Sequence, residues 1–568
     1  MRPWRRLALA TGGAGLLVTS LAAGASAGGS DARVTVGSPS GTFPQNKQNE
    51  PAVALAMDAA HPNVLAAGAN EEVDFAPCAG NSCAFTPGIG NSGIYFSLNG
   101  GSSWVQPTYR GWSARSGTAK VGPIGTLPGF YERGLVSDGD PALAFGPRLG
   151  RSGFSWANGT RLYYATLTSG FPGRTTIPAG SEAIAVSRTD DVRAAAKGDQ
   201  GAWLPPVVAS RGLRKTTFSD KEAVWADNAA SSRHFGTAYV CWTSYGATSA
   251  APVLLARSTD GGDSWSHPVT VSGSRTSAFT GASFCTIRTD STGTVYVAWE
   301  DGLARGVAVQ KIARSTNGGR SFGAPQILSP AILPGRLDPA HVAVKDPRYT
   351  MDGLAGARED AGLSLDIANS APTGRSATNV LVATWSDGRL GLNREIAPVV
   401  TSRNGGRSWS RWRDAAAAGD RPSYASVAIS PDGTDVYVTY NAFLRPWQAT
   451  TSSPRPLQGV VRHAGVVGGA VGAFATVHRG ASGDARGSSQ NDLNSEFLGD
   501  YTYVLATRGS AAAAWNDVRG AASCPAIDRY RASLVTRKPL SAPAPLTACP
   551  PRFGNSDIYA GRYLDPTP

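Results

Sequence analysis

Carboxylates, phenols and a lysine recur in this chain at the entrance to short apolar runs. Glu50 stands before the run Pro51 to Leu55, and Asp140 before the run Pro141 to Phe145. Asp220, Lys221 and Glu222 precede Ala223 to Ala226, Tyr424 precedes Ala425 to Ile429, and Asp500 with Tyr501 precedes Thr502 to Ala506. A second set closes apolar runs, at Asp301, Asp387 with Arg389, and Asp517 with Arg519. Carboxyl groups gathered round one axis can divide the work of holding and accepting a proton, which is general acid–base catalysis. An Asp-x-Arg pair adds a fork of donors for an oxygen-rich ligand. As framework, the same aspartates cap turns and the same pairs staple neighbouring strands. The candidate catalytic set is Asp500, Tyr501, Tyr424, Asp140 and Glu222; the candidate substrate-binding set is Glu50, Lys221, Asp387, Arg389, Asp517 and Arg519. Leu498 to Tyr501 is the richest segment, because a carboxylate and a phenol open one strand together.

The elements that position these residues are repeats. Ser97 to Trp104, Ser258 to Trp265, Ser315 to Phe322 and Ser402 to Trp409 share one pattern, Ser-x-Asx-Gly-Gly-x-Ser-aromatic. Paired glycines accept positive φ and the Asx side chain bonds nearby backbone N–H groups, so each segment is a tight hairpin with its aromatic packed over the turn. Three of the four Asx residues are Asn (Asn99, Asn317, Asn404), which suits a turn better than a calcium ligand set. Gly319 to Gly323 matches the G-x-S-x-G pattern of serine hydrolases, but it lies inside such a hairpin and not at a strand-to-helix elbow. Upstream, Thr294 to Asp301, Val380 to Asp387 and Ala511 to Asp517 are strands ending in Trp-x-Asp, with Ala238 to Trp242 a partial copy. Each unit therefore reads as strand A, strand B, strand C, a turn, and strand D.

Seven such units start near Pro51, Pro141, Glu222, Thr286, Leu365, Tyr424 and Tyr501, about 75 residues apart on average. Four-stranded units repeated about an axis make a β-propeller. The expected fold is all-β, a seven-bladed propeller of four-stranded antiparallel blades, with six as the alternative count. The last unit lacks a strand D, and Arg33 to Ser38 is expected to supply it and tie the ring shut.

Composition agrees. Gly 68 and Pro 38 make up almost a fifth of 568 residues, too many for a helical protein, and only 17% of residues are charged. Residues 1–27 read as a signal peptide, with Arg2, Arg5 and Arg6 before an apolar stretch and Ala25-Ser26-Ala27 as the cleavage site. Residues 28–568 are then expected to form one propeller domain secreted to the extracellular space, since no later apolar run approaches the length needed to span a bilayer. The net charge is +12, of which the three signal arginines carry three, leaving +9 on scattered arginines. That pattern excludes a nucleic-acid binder and stable membrane association, and a monomer is expected. Six cysteines in an exported chain suggest three bridges; of the fifteen pairings open to them, one joins Cys78 with Cys83, Cys241 with Cys285, and Cys524 with Cys549, and the sequence alone does not select it. No CxxC or HxH spacing occurs, so no metal site and no cofactor are expected, with calcium held open only as a structural ion at Asp-rich loops such as Ser137 to Asp140.

The hairpin pattern is that of the Asp-box, or BNR repeat, and the mature chain resembles the Asp-box propellers of the sialidase (neuraminidase) superfamily. The resemblance implies a retaining exo-glycosidase acting on a glycan or glycoconjugate, with a Tyr nucleophile, an acid/base Asp and three arginines clamping the substrate carboxylate. Tyr424 matches the tyrosine-bearing strand of that family, with Asn441 where its Glu would stand. The family's Phe/Tyr-Arg-Ile/Leu-Pro motif is lacking; Gln48 to Pro51 occupies its place. The alternative is a non-catalytic propeller binding glycan or protein on the same face. Asp-box endoglucanases, which use two carboxylates, usually carry two propellers, more than this chain can hold.

Overall fold

A computed structural model describes residues 30–36, 48–55 (backbone alone), 61, 63–76, 85–174, 177–211, 217–246, 251–272, 282–302 and 306–566. Residues 1–27, where a signal peptide is expected, the expected Cys78–Cys83 bridge, and the side chain of Glu50 lie outside the described residues. Among those described, strands dominate and every ladder is antiparallel, apart from two isolated parallel bridges.

Seven sheets follow one another along the chain. Their first strands are Gln48–Leu55, Leu135–Gly150, Phe218–Ala226, Ala282–Thr289, Ser364–Ile367, Arg421–Ile429 and Tyr503–Ala506. Sheets two to five each hold four strands in sequential order; sheet one has three, extended by a bridge between Phe96 and Val105. Sheet six carries three further short strands on its third, Pro456–Val467. In sheet seven, the order is Tyr503–Ala506, Ser510–Asp517, Asp557–Leu564 and then Ala32–Arg33. The N-terminal strand therefore pairs with the C-terminal one, Ala32 opposite Ala560 and Arg33 opposite Tyr559. Two small sheets are insertions: Tyr109–Ser113 with Lys120–Ile124, and Arg336–Leu337, Tyr349–Thr350 and Arg358–Glu359.

Each sheet buries both faces, so its strands are near-continuous apolar runs. Sheets two and three enclose Tyr163, Ile184, Val224 and Trp242. Sheets five and six enclose Val382, Val399, Val427 and Val438. The last sheet shares a core with the first, through Ala512, Ala514 and Ile558 against Leu65, Ala67 and Tyr95. Close approach selects small residues: a Cβ at Gly459 of sheet six would lie 2.3 Å from the Trp515 indole of sheet seven. The four hairpins form as their sequence requires. In one, Ser258 Oγ accepts from the Gly262 N–H (2.7 Å) and Asp260 Oδ1 from the Ser264 N–H (3.0 Å), with Gly261 and Gly262 at positive φ and Trp265 buried. Cys241 is bonded to Cys285, joining sheets three and four, and Cys524 to Cys549 within the long loop before the last strand. No helix among the described residues is long and apolar enough to cross a membrane.

The N-terminal strand is also held electrostatically. Arg519 Nη2 lies 2.6 Å and His478 Nε2 3.4 Å from Asp31 Oδ2. Burial works against ionisation of Asp31, but the hydrogen bonds from His478 and Arg519 outweigh it and lower its pKa to about 2. A depressed carboxylate stabilises the fold above its unfolded pKa and loses that contribution as pH falls through the folded value. Asp31→Asn is therefore expected to cost about 1 kcal/mol at pH 7, after allowance for solvent screening, and much less near pH 2. Urea midpoints of both proteins at the two pH values check this.

Candidate functional site

One local feature repeats at the entrance to the first strand. In sheets one, two, three, four and six the ladder to the second strand slips by one residue, between Asn49 and Ala52, Gly139 and Ala142, Asp220 and Ala223, Ser283 and Thr286, and Ser423 and Ser426. Such a bulge bends the strand and re-aims a side chain. Its first residue is Asp140, Lys221, Phe284 or Tyr424 in the four sheets with described side chains there, and all four have positive φ, from 46° to 56°. A non-glycine residue in that region costs about 1 kcal/mol, and such strain gathers at functional sites. Four strained bulges thus bring an acid, an ammonium and two aromatic rings to one place.

Lys221 is the hub. Its Nζ lies 2.8 Å from Asp500 Oδ2, 3.0 Å from Asp140 Oδ2 and 3.5 Å from Asp220 Oδ1. It also sits 5.5 Å from the Tyr501 ring centre and 5.9 Å from that of Phe284. Arg358, from the second inserted sheet, donates from Nε to Asp500 Oδ1 (2.6 Å) and touches Oδ2 with Nη2. Tyr424 donates its phenol hydrogen to Asp500 Oδ1 at 3.0 Å. Glu359 fixes the Tyr424 backbone, accepting from its N–H (3.2 Å) and from Ser423 Oγ (2.6 Å).

Above this floor opens a cavity of about 790 Å³. Seven carboxyl residues line it (Glu72, Asp138, Asp140, Asp220, Glu359, Asp360, Asp500) against three cations, Lys221, Arg348 and Arg358. Phe85, Phe218, Tyr245, Tyr349 and Phe497 supply aromatic surface. Below the floor runs a narrow channel of about 70 Å³, lined by Glu222, Phe284, Tyr424 and Tyr501 among others.

The carboxyls divide by protonation. Burial opposes ionisation of Asp500, yet Arg358 and Lys221 hold it far below the usual carboxylate range, so it stays charged. Burial would lower the Lys221 pKa, but Asp140, Asp220 and Asp500 hold it well up, so it stays an ammonium. Asp220 is pushed up to about 6, first by burial and then, against Lys221, by the charge of Asp140 and a hydrogen bond shared with it. Glu182 is pushed up to about 10 by burial and by its hydrogen-bonded neighbour Asp138, so Glu182 holds the proton of that pair. Asp138 itself is raised by burial, while its bonds to Ser169 and Glu182 favour its charged form. The Asp220 side chain keeps 19% of its surface accessible, that of Asp500 only 1%.

The structure thus gathers Asp140, Lys221, Tyr424, Asp500 and Tyr501 from the sequence-derived set. Of these, Tyr424 and Tyr501 line the channel and not the cavity, and so does Glu222, with burial raising its pKa well above the usual range. The two Asp-x-Arg pairs, expected to bind substrate, are not among the residues that line this cavity. Asp387 accepts from Trp385 Nε1 (2.6 Å) and from the Arg389 N–H (2.8 Å), and Asp517 accepts from the Arg519 N–H and Nε (both 2.8 Å) while Arg519 reaches Asp31. They are staples. Sequence reasoning missed Phe284, Asp138, Glu182, Arg358 and Asp360. Phe284 occupies the repeated bulge position and was findable by aligning the strand entrances; Arg358 and Asp360 lie in an insertion with no repeat to mark them. Of the three arginines the family resemblance would require, the described cavity lining contains two, Arg348 and Arg358.

No protein-family model matches the chain, and no curated protein does. Among solved structures it is similar to a Hadza microbial sialidase, with 15% identity over 66% of this chain and 62% of that one, at a TM-score of 0.36. It is also similar to the intramolecular trans-sialidase from Ruminococcus gnavus in complex with oseltamivir carboxylate (13% identity, 72% of this chain, 94% of that one, TM-score 0.41). A third is Trypanosoma rangeli sialidase in complex with the inhibitor DANA (12% identity, 75% of this chain, 55% of that one, TM-score 0.39). The chain thus spans less than two thirds of the first of these.

Proposed function

We propose that the chain is a secreted, seven-bladed propeller, closed by its N-terminal strand, that hydrolyses glycosidic bonds in extracellular glycans. Seven consecutive sheets, a shared core between the last and the first, and the pairing of Ala32–Arg33 with the C-terminal strand support the architecture. The observation that carries the activity is a pair of unlike carboxyls lining one cavity: Asp220, pushed up to about 6 by burial and the Asp140 charge, and Asp138, raised by burial but hydrogen-bonded to Glu182, which is pushed up to about 10 and so takes the first proton the pair shares. Glycoside hydrolysis needs that division, an acid to protonate the leaving oxygen and a carboxylate to act as base or nucleophile.

In this reading Asp220 is the acid and Asp138 the carboxylate. Lys221, Asp500 and Tyr424 form the rigid floor that sets Asp140 and Asp220 in place. Tyr424 is a poor nucleophile here: burial and then Asp500 raise its pKa well above the usual phenol range, and Asp500, neutralised by two cations, is a weak base for its proton. Lys221 and Arg358 are already paired with Asp500, which leaves less positive charge for an anionic sugar, and five aromatic residues line the cavity, so the substrate is taken to be a neutral glycan stacked on those rings.

The test is hydrolysis of a panel of aryl glycosides by the full chain. Turnover of neutral glycosides with sialosides untouched supports the reading; turnover of sialosides alone overturns it, and no turnover of any member leaves the alternative, a glycan-binding propeller. Asp138→Asn is expected to lower kcat by about 10²–10⁴ while KM changes little, measured on the best substrate of the panel.

A further inference from the structure

Away from the cavity, three metal-capable side chains converge between sheets six and seven. Asp435 opens the second strand of sheet six, Asp435–Phe443; His463 lies on the third, Pro456–Val467; Asp565 follows the last strand of sheet seven, Asp557–Leu564. The first strand of sheet six enters at the cavity and runs to Ile429, so Asp435, which begins the return strand, sits at the opposite end of the sheet. We propose that His463, Asp435 and Asp565 bind a divalent transition ion of the zinc class, which ties the chain's C-terminal segment to sheet six.

The three ligand atoms lie close enough for small side-chain adjustments to bring them onto one ion. One ligand atom from each residue lies within 4.8 Å of the others. His463 Nε2 is 2.9 Å from Asp435 Oδ1 and 3.7 Å from Asp565 Oδ1. Zinc bonds of about 2.0–2.2 Å to nitrogen and oxygen place neighbouring tetrahedral ligand atoms roughly 3.3–3.5 Å apart, between those two separations. The two carboxylates aim at one ring nitrogen, which can give a hydrogen bond to only one of them at a time. All three side chains are at least nine-tenths buried, with 4% exposure for His463 and 7% for each aspartate.

Surrounding groups hold the ligands in place, as the outer shell of a metal site does. Thr434 Oγ1 donates to Asp435 Oδ2 at 2.6 Å, turning Oδ1 toward the imidazole. The Asp565 N–H donates to the Gly509 carbonyl at 3.0 Å, and the Tyr437 ring packs 4.8 Å from the imidazole centre. An imidazole with two carboxylates selects zinc-class ions over calcium or magnesium, which favour all-oxygen sets. The ligands are far apart in sequence, Asp435 and His463 by 28 residues, so no spacing motif marks them.

The experiment uses the full chain, stripped with a chelator and titrated with Zn²⁺, and separately with Ca²⁺, by calorimetry and by thermal melting. Expected are one Zn²⁺ per chain, a rise in Tm of about 2 °C or more at saturation, and at least tenfold weaker binding in both His463→Ala and Asp565→Asn. Asp565→Asn lies beyond the last strand and keeps the test open if His463→Ala fails to fold. Absence of stoichiometric Zn²⁺ binding, equal binding in the folded variants, or tighter binding of Ca²⁺ would each overturn the proposal.

Discussion

Asp220→Asn is expected to reduce kcat/KM by about 10²–10⁴ on glycosides with poor leaving groups, the range that general acid catalysis supplies. Activated dinitrophenyl glycosides need little protonation of the departing oxygen, so on them the same variant should lose less than tenfold. The contrast follows from the position of Asp220 on the cavity wall, with the Asp140 carboxylate raising its pKa and Lys221 3.5 Å away holding the geometry. Asparagine keeps the shape and removes the proton that matters. Equal losses on both substrate types would indicate a binding role for Asp220 and remove it as the acid.

The second large effect is on stability. Asp500→Ala removes the partner of Arg358 and the nearest carboxylate to Lys221, at 2.8 Å, in a place where the aspartate side chain is only 1% exposed. Breaking a buried ion pair from one side costs about 3–5 kcal/mol, because a cation stays behind without that counter-charge; Lys221 keeps Asp140 at 3.0 Å, which places the expected loss at the lower end of that range. Asp500→Asn, which preserves the hydrogen-bonding shape, should cost less. Urea unfolding at pH 7 measures both. The folded pKa of Asp500 is depressed, so its contribution is present above the unfolded carboxylate pKa and is lost only in strong acid.

The architecture was legible because it repeats. Seven strand entrances and four Asx-Gly-Gly hairpins are local patterns, and local turn chemistry decided them: the Ser258, Asp260 and Ser264 bonds are those the sequence requires. Even the pairing of Arg33 with the C-terminal strand could be read, since one unit lacked its last strand. The site was legible only in part. Repetition pointed to Asp140, Lys221 and Tyr424, because each starts a strand, but it could not say which of them would be locked in ion pairs. That depends on Arg358, which arrives from an insertion outside the repeat and turns Asp500 into a counter-ion. Asp387 and Asp517 looked equally eligible, yet each is consumed within two residues by its own Trp and Arg. Proton-holding pairs such as Asp138 with Glu182 join residues from different strands, and only folding brings them together.

The most direct test of the central claim is the pH dependence of kcat/KM for the best neutral aryl glycoside, measured between pH 4 and pH 9 on the wild-type chain. In the proposed reading Asp220 works protonated and Asp138 ionised, so the rate should fall close to tenfold per unit above about pH 6 and also decline at the acid end, where the burial-raised Asp138 takes up a proton. A rate that instead rises through pH 6 would mean that the ionised carboxylate is the active form, and would contradict the assignment of Asp220 as the acid.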